Sequence, residues 1–326
     1  MLTKTLLLLL ALLDTSQLFC QNIDSLRTKE EVLSFVRKLN PIYSNVYIDP
    51  PKPVFGLDDY QARIKSFGSF AYEKADFDGN GLTDLLFNGY VDDYEGNKEC
   101  KRFAFVVLSF GKDSFQIKEL TQGHFIQFFA ARKIPIEGNN CIVTLNVEGE
   151  FIDDSKVYVY HNITDTLNYV AGEFIERCAP NKDTIDKIEF CAFGGLGFFA
   201  GIKLSITDTF CIMESGTSLQ KPHSTIDSGG IFQTTLDWAT HAKILGLLQN
   251  IDFTHLKDDY QVSWSDDLFG LLKITYNKNK VKVIKDYGLI GTYGLAALQN
   301  VLIELRDSQH WKLIKQISDD YLFCSE

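Results

Sequence analysis

Nine consecutive residues, Asp76-Phe77-Asp78-Gly79-Asn80-Gly81-Leu82-Thr83-Asp84, place side-chain oxygens at relative positions 1, 3, 5 and 9. Glycines at 79 and 81 let the backbone curl so that those oxygens face inward. A hard cation such as calcium needs this layout, because it takes about six to eight oxygen ligands. The expected ligands are the side chains of Asp76, Asp78, Asn80 and Asp84 and the backbone carbonyl of Leu82. The competing reading is a turn in which Asp and Asn side chains bond only to local backbone. Three carboxylates this close repel one another, which favours a bound cation. The expected role is a structural staple, since no base stands beside the loop to support catalysis. An EF-hand is excluded: it wants a bidentate Glu at position 12, and Phe87 stands there.

A second, looser set of carboxylates is Asp266, Asp267 and Asp286. They can converge on a ligand or metal, or they can be turn residues beside a hairpin, with Asp286 capping a local turn. Trp264 and Tyr287 nearby read as packing or rim aromatics. Other patterns lack their context. Asp227-Ser228-Gly229-Gly230 resembles the surroundings of a serine-protease nucleophile, but Ile226 stands where a glycine belongs, so a glycine turn between strand and helix is expected. Gly194-Gly195-Leu196-Gly197 is followed by apolar, strand-like sequence, and a phosphate cradle needs a helix N-terminus. The histidines show no H-x-x-x-H, and there is no C-x-x-C, so a zinc site is not expected. Asn162-Ile163-Thr164 fits a glycosylation acceptor and reads as incidental if the source is bacterial.

The elements that must position these residues fall into two halves. Thr28 and Glu31 form a capping-box pair, and Val32, Phe35, Val36 and Leu39 share one face, which predicts a helix over 28–39 ended by Asn40-Pro41. Pro50, Pro51 and Pro53 make a stiff connection. β-branched and aromatic runs at 103–110, 125–130, 141–147 and 156–160 predict strands. The first half therefore reads as one small helix plus an antiparallel sheet, covering 21–178. The polar stretch 178–184 is the expected boundary. Beyond it come strands near 186–190 and 202–206 and an amphipathic helix near 235–249. A hairpin of 271–276 and 281–284 follows, then a helix over 294–306. The second domain, 185–326, reads the same way. The fold class is α+β, with two domains, each a mainly antiparallel sheet with one or two helices.

The first twenty residues read as a secretory signal peptide: Lys4, then an unbroken apolar run from Leu6 to Leu13, then Thr15, Ser16 and Gln17. Cleavage is expected after Cys20. A rival reading makes Cys20 the lipidated residue of a lipoprotein, although Phe19 occupies a position where a small residue is wanted. No later run reaches the roughly 20 apolar residues of a membrane helix. A net charge of −11 without a basic cluster argues against nucleic acid and anionic membranes. With 45% hydrophobic and 13% aromatic residues, the chain has ample apolar mass for folded cores. An oxidising, exported setting permits disulfides among the wide-spaced cysteines, and their pairing stays open.

Three resemblances add to this. The Phe-Cys-Gln junction at 19–21 resembles the Phe-Ala-Gln ending common in secreted proteins of the Bacteroidetes. The 76–84 loop, followed by Leu85-Leu86-Phe87, resembles the calcium loops of FG-GAP and related secreted repeats, here in a single copy. Residues from about Ile185 to Trp311 resemble an uncharacterised exported bacterial domain. Its pieces here are Ala192 to Gly197, Trp264-Ser265-Asp266-Asp267, Asp286-Tyr287-Gly288, Gly291 and Gly294-Leu295. Ala192 and Leu196 stand where that domain carries two cysteines, so the resemblance lends this chain no redox or metal role for the pair. It implies export and fold class, and no activity. The expected function is that of an exported, non-enzymatic binding or envelope-associated protein stabilised by calcium. It would be periplasmic or extracellular, with a protein or glycan partner. The alternative is an exported hydrolase of envelope or extracellular polymers that works through clustered carboxylates.

Overall fold

Thr28 opens the first helix as its capping box predicts. In the computed structural model α1 spans Lys29–Leu39. The Thr28 hydroxyl accepts from the Glu31 amide at 3.2 Å, and the Glu31 carboxylate accepts from the Thr28 amide at 3.0 Å. Two amides that the first turn leaves without partners are satisfied this way. The described residues are 22–49, 58–92, 100–121, 128–152, 157–194, 201–216, 229–262 and 265–317. The chain divides into two compact units, Met1–Thr166 and Leu167–Glu326. Both are α+β with mainly antiparallel sheets.

In the first unit, β1 (Val46–Tyr47) is followed by α2 (Asp58–Phe67), β2 (Tyr72–Ala75), β3 (Asp84–Asp92), β4 (Cys100–Ser109) and β5 (Phe115–Glu119). β3, β4 and β5 form an antiparallel meander, and β1 and β2 pair along the same edge of β3. Val32, Phe35 and Val36 of α1 pack with Leu85, Phe87, Phe105 and Val107, which alternate onto one face of the meander. The Phe87 and Phe105 rings stack with centroids 5.0 Å apart. Each buried ring contributes on the order of 2–3 kcal/mol through the surface it removes from water.

The opposite face is buried too, which explains the near-continuous apolar run in β4. A second sheet with β6 (Phe128–Ile136), β7 (Asn139–Ile152) and β8 (Val157–Val170) follows. The buried Asn88 of β3 ties β6 to the first sheet. Its Oδ1 accepts from the Ala131 amide at 2.8 Å, and its Nδ2 donates to the Phe70 and Ala131 carbonyls at 2.9 and 3.0 Å.

One feature of this unit differs from the sequence reading. α2 is a second helix where one was expected. Ile64 packs among Ala130, Leu145 and Val147, and Gly68, at φ +74°, ends the helix by donating its amide to the Ile64 carbonyl. The two compact units meet in sequence between Thr166 and Leu167, within β8. From Leu167 onward β8 pairs with β9 (Glu173–Glu176), and that hairpin packs with the second unit's helices.

The second unit is built on one sheet. Its strands are β10 (Ile185–Gly194), β11 (Ile202–Thr207), β12 (Phe210–Ser215), β13 (Gly230–Thr235), β14 (Asp259–Gln261), β15 (Leu268–Tyr276), β16 (Lys280–Tyr287) and β17 (Lys312–Gln316). In space the order is β14-β16-β15-β10-β11-β12-β13-β17, antiparallel except for the β14–β16 pair. The helices α3 (Trp238–Asn250) and α4 (Tyr293–Ser308) cover one face. Ile188, Phe190, Leu204 and Met213 meet Ile244, Leu248, Leu298 and Leu302 in that core. The expected helices, the 271–284 hairpin and the strands near 186 and 202 are all present. Gly229-Gly230 leads into β13, a strand, where a turn into a helix was expected.

Candidate metal centre

The Asp-rich segment is the connection between two paired strands. Ala75 at the end of β2 pairs with Asp84 at the start of β3, and residues 76–83 loop out between them. Gly79 and Gly81 take φ of +77° and +82°, the left-handed region that side chains disfavour. Their turn aims the loop's amides at its carboxylates. Asp76 accepts from the amides of Gly79, Asn80 and Gly81 at 2.7, 3.1 and 2.8 Å. Asp78 accepts from the Asn80 amide at 3.0 Å and from the Asn80 side-chain nitrogen at 2.9 Å. That nitrogen also donates to the Ser109 carbonyl at 2.8 Å, while Asn80 Oδ1 accepts from the Leu82 amide at 2.8 Å.

Asp84 is the anchor. It is fully buried, and its two oxygens accept from the amides of Ser109 at 2.8 Å and Phe77 at 2.7 Å. Asn140, in β7, donates to the Asp76 carbonyl at 2.9 Å and fixes the loop's other end. Ser109 and Asn140 are the site residues that sequence reasoning missed. They lie 25 and 64 positions from the residues they hold, and no local pattern announces them.

Electrostatics set the carboxylates against their surroundings. Burial pushes Asp84 up to about 6, with the neighbouring Asp78 charge adding to the rise and the Ser109 and Phe77 amides opposing it. Asp78 is raised as well, by burial first and by Asp76 after it. Among the described residues, no Lys, Arg or His forms an ion pair with Asp76, Asp78 or Asp84. One oxygen from each of the three lies within 4.8 Å of the others. Oxygens that share one calcium sit at most about 5 Å apart, twice the usual bond length. Each carboxylate oxygen has two lone pairs, so Asp76 Oδ2 and the oxygens of Asp84, with one amide bond each, keep one for a cation, whereas Asp76 Oδ1, with two, does not. The donor set therefore fits a hard cation.

The second carboxylate set is not brought together in this way. Among the described residues, Asp76, Asp78 and Asp84 are the one group of three close enough to share an ion. Asp286 is fully buried in β16 and accepts from the amides of Ile290 and Gly291 at 3.1 and 3.0 Å, closing the turn that leads to α4. Burial raises its pKa. Asp266 is exposed at φ +67°. Asp267 accepts from the Leu268 amide at 2.7 Å and donates its own amide to the Tyr287 hydroxyl at 3.2 Å. Trp264 lies outside the described residues.

Gly194 sits in a packing corner beside these residues, while Gly195, Leu196 and Gly197 lie outside the described residues. A Cβ on Gly194 would stand 2.9 Å from the Asp267 carbonyl, and β10, β15 and β16 run side by side there. The model of a family described as a domain of unknown function (DUF6438) matches residues 209–306, from the start of β12 into α4. None of the curated proteins matches the chain.

Proposed function

We propose that this protein is an exported, non-enzymatic binding or envelope-associated protein whose first unit is stapled by calcium at the β2–β3 loop. Asp76, Asp78, Asn80, Asp84 and the Leu82 carbonyl hold the ion. The observation that carries this reading is Asp84: a carboxylate fully removed from water, beside a second acidic side chain, with no basic side chain paired to it among the described residues. A bound divalent cation supplies the missing positive charge and holds the β2–β3 connection against β4. The likeness to FG-GAP calcium loops supports the same assignment. Export to the periplasm or beyond, where calcium is plentiful, is the setting the N-terminal pattern suggests, and a protein or glycan is the partner class.

The hydrolase alternative is the weaker one. Both oxygens of Asp286 are taken up by turn amides in the interior, while Asp266 is exposed. A general acid–base pair needs both carboxyls at one opening.

Titration calorimetry on the purified chain lacking its first twenty residues tests the metal assignment. The expected result is one calcium per chain, with much weaker heat from magnesium. Asp78→Asn, which keeps the side chain's shape and removes its charge, should abolish the calcium heat. Absence of any calcium heat in the parent chain at millimolar ion would sink the assignment.

A further inference from the structure

The sheet of the second unit ends in two unlike edges. β14, with three residues, closes one of them. β17 forms the other with five, Lys312–Gln316, and among the described residues it pairs with β13 alone. An edge strand presents a row of backbone amides and carbonyls that a further strand can use. Folded proteins often blunt such an edge with proline or by covering it. β17 contains no proline, and all five of its residues are exposed. Two of them are large and apolar, Leu313 at 47% exposure and Ile314 at 53%. Trp238, 83% exposed, opens α3 at the same end of the sheet, where Gln309 Nε2 donates to the Asp237 carboxylate at 3.1 Å.

The pairing register sets the charges of this edge. Lys315 stands opposite Ile231, Leu313 opposite Phe232 and Lys312 opposite Gln233, and the register shift between Ile231 and Phe232 leaves Ile314 without a counterpart. Phe232 belongs to the core beneath the helices. Ile231 and Gln233 have the opposite parity, so they share the face that α3 and α4 leave uncovered. Both lysines therefore lie toward that face, and Leu313 lies toward the helices. Among the described residues neither lysine forms an ion pair. The edge is thus positive on a chain whose net charge is −11.

This pattern distinguishes the strands that could add to it. A second copy pairing through the same edge would set lysine-bearing strands side by side, which like charges oppose. A strand with acidic side chains two positions apart, the spacing of Ile231 and Gln233, would meet both lysines. The apolar residue between them would fall beside Leu313.

We infer that the β17 edge docks an extended acidic segment of a protein partner, which adds to the sheet as a further strand. Backbone hydrogen bonds hold the segment, and the alternation of acidic and apolar side chains sets its register. This rests on the reading of the chain as a binding protein and names the surface it uses. It does not involve the calcium loop, so either assignment can fail alone.

Fluorescence anisotropy tests it with a labelled synthetic peptide that alternates glutamate and valine, titrated with the full chain lacking its first twenty residues. The expected result is saturable binding. Exchanging both lysines, Lys312→Glu with Lys315→Glu, should weaken it about fivefold or more, since two attractive cross-strand pairs become repulsive. Both positions are exposed, and an unchanged thermal midpoint would show that the variant is folded. The same peptide with proline at its central valine should not bind, because proline cannot donate to the ladder. No binding at millimolar peptide, equal binding by the lysine variant, or equal binding of the proline peptide would each overturn the inference. Self-association of the parent chain that is lost in the lysine variant would give the edge to a second copy instead, and would also overturn it. A chain that binds calcium but not the peptide would remove this surface alone.

Discussion

Asp84 concentrates the chemistry of the candidate metal centre in one side chain. Its carboxyl titrates at about 6 in the folded chain, above the value near 3.9 of an unfolded Asp. Between those values the folded state binds more protons than the unfolded one, so without metal its stability falls as pH rises through that window. A shift of about two pH units corresponds to about 3 kcal/mol. Between pH 4.5 and pH 7, chemical unfolding in chelator should show roughly 2 kcal/mol of this in the parent and lack it in Asp84→Asn. Calcium competes with the same proton, so its affinity should climb as pH rises through about 6, and a pH series of calcium titrations reads this. The cluster of Asp76, Asp78 and Asp84 was legible because these residues stand close together in the sequence, in one loop. Ser109 and Asn140, which hold the loop from β4 and β7, were not, because only the folded sheets bring them near. Asp286 was legible as a candidate and also as a turn cap, and its bonds to Ile290 and Gly291 are those of the cap.

At the scale of elements, close packing at glycine governs the second unit. Gly294, in the first turn of α4, would carry a Cβ 2.2 Å from Ile251 Cγ2. Alanine ordinarily favours a helix over glycine by about 1 kcal/mol. Here the overlap should outweigh that gain, and Gly294→Ala should lower stability by roughly 1–3 kcal/mol, read by denaturant unfolding. A stabilised variant would mean that α4 does not rest on Ile251. Helices with strong local signals were readable in advance, α1 from its capping box and α4 from its apolar stripe. α2 was passed over because its apolar residues are few and its stop signal is the single Gly68. β17 was passed over for a different reason: every residue from Lys312 to Gln316 is exposed, so no alternation of burial marked it as a strand.

For the whole molecule, composition and charge set the frame. The chain carries a net charge of −11, and among its described residues no helix is long and apolar enough to cross a membrane. If the first twenty residues are an export signal, the intact mass of protein recovered from an exporting host should begin at Gln21. A lipid-modified mass at Cys20 would instead give the lipoprotein. The α+β class was readable from the mixture of strand and helix patterns. The packing of the β8–β9 hairpin with the helices that follow it rests on residues far apart in sequence, which no local pattern announces. The most direct test of the proposed calcium staple is thermal unfolding of the chain without its first twenty residues in calcium, in magnesium and in chelator. A ligand that binds only the native state stabilises it by about 2.7 kcal/mol at a hundredfold excess over its Kd. A higher midpoint is expected in calcium alone, lost in Asp76→Ala and in Asp78→Asn. The same midpoint in all three conditions, with calcium well above millimolar, would contradict it and leave the loop an ordinary turn.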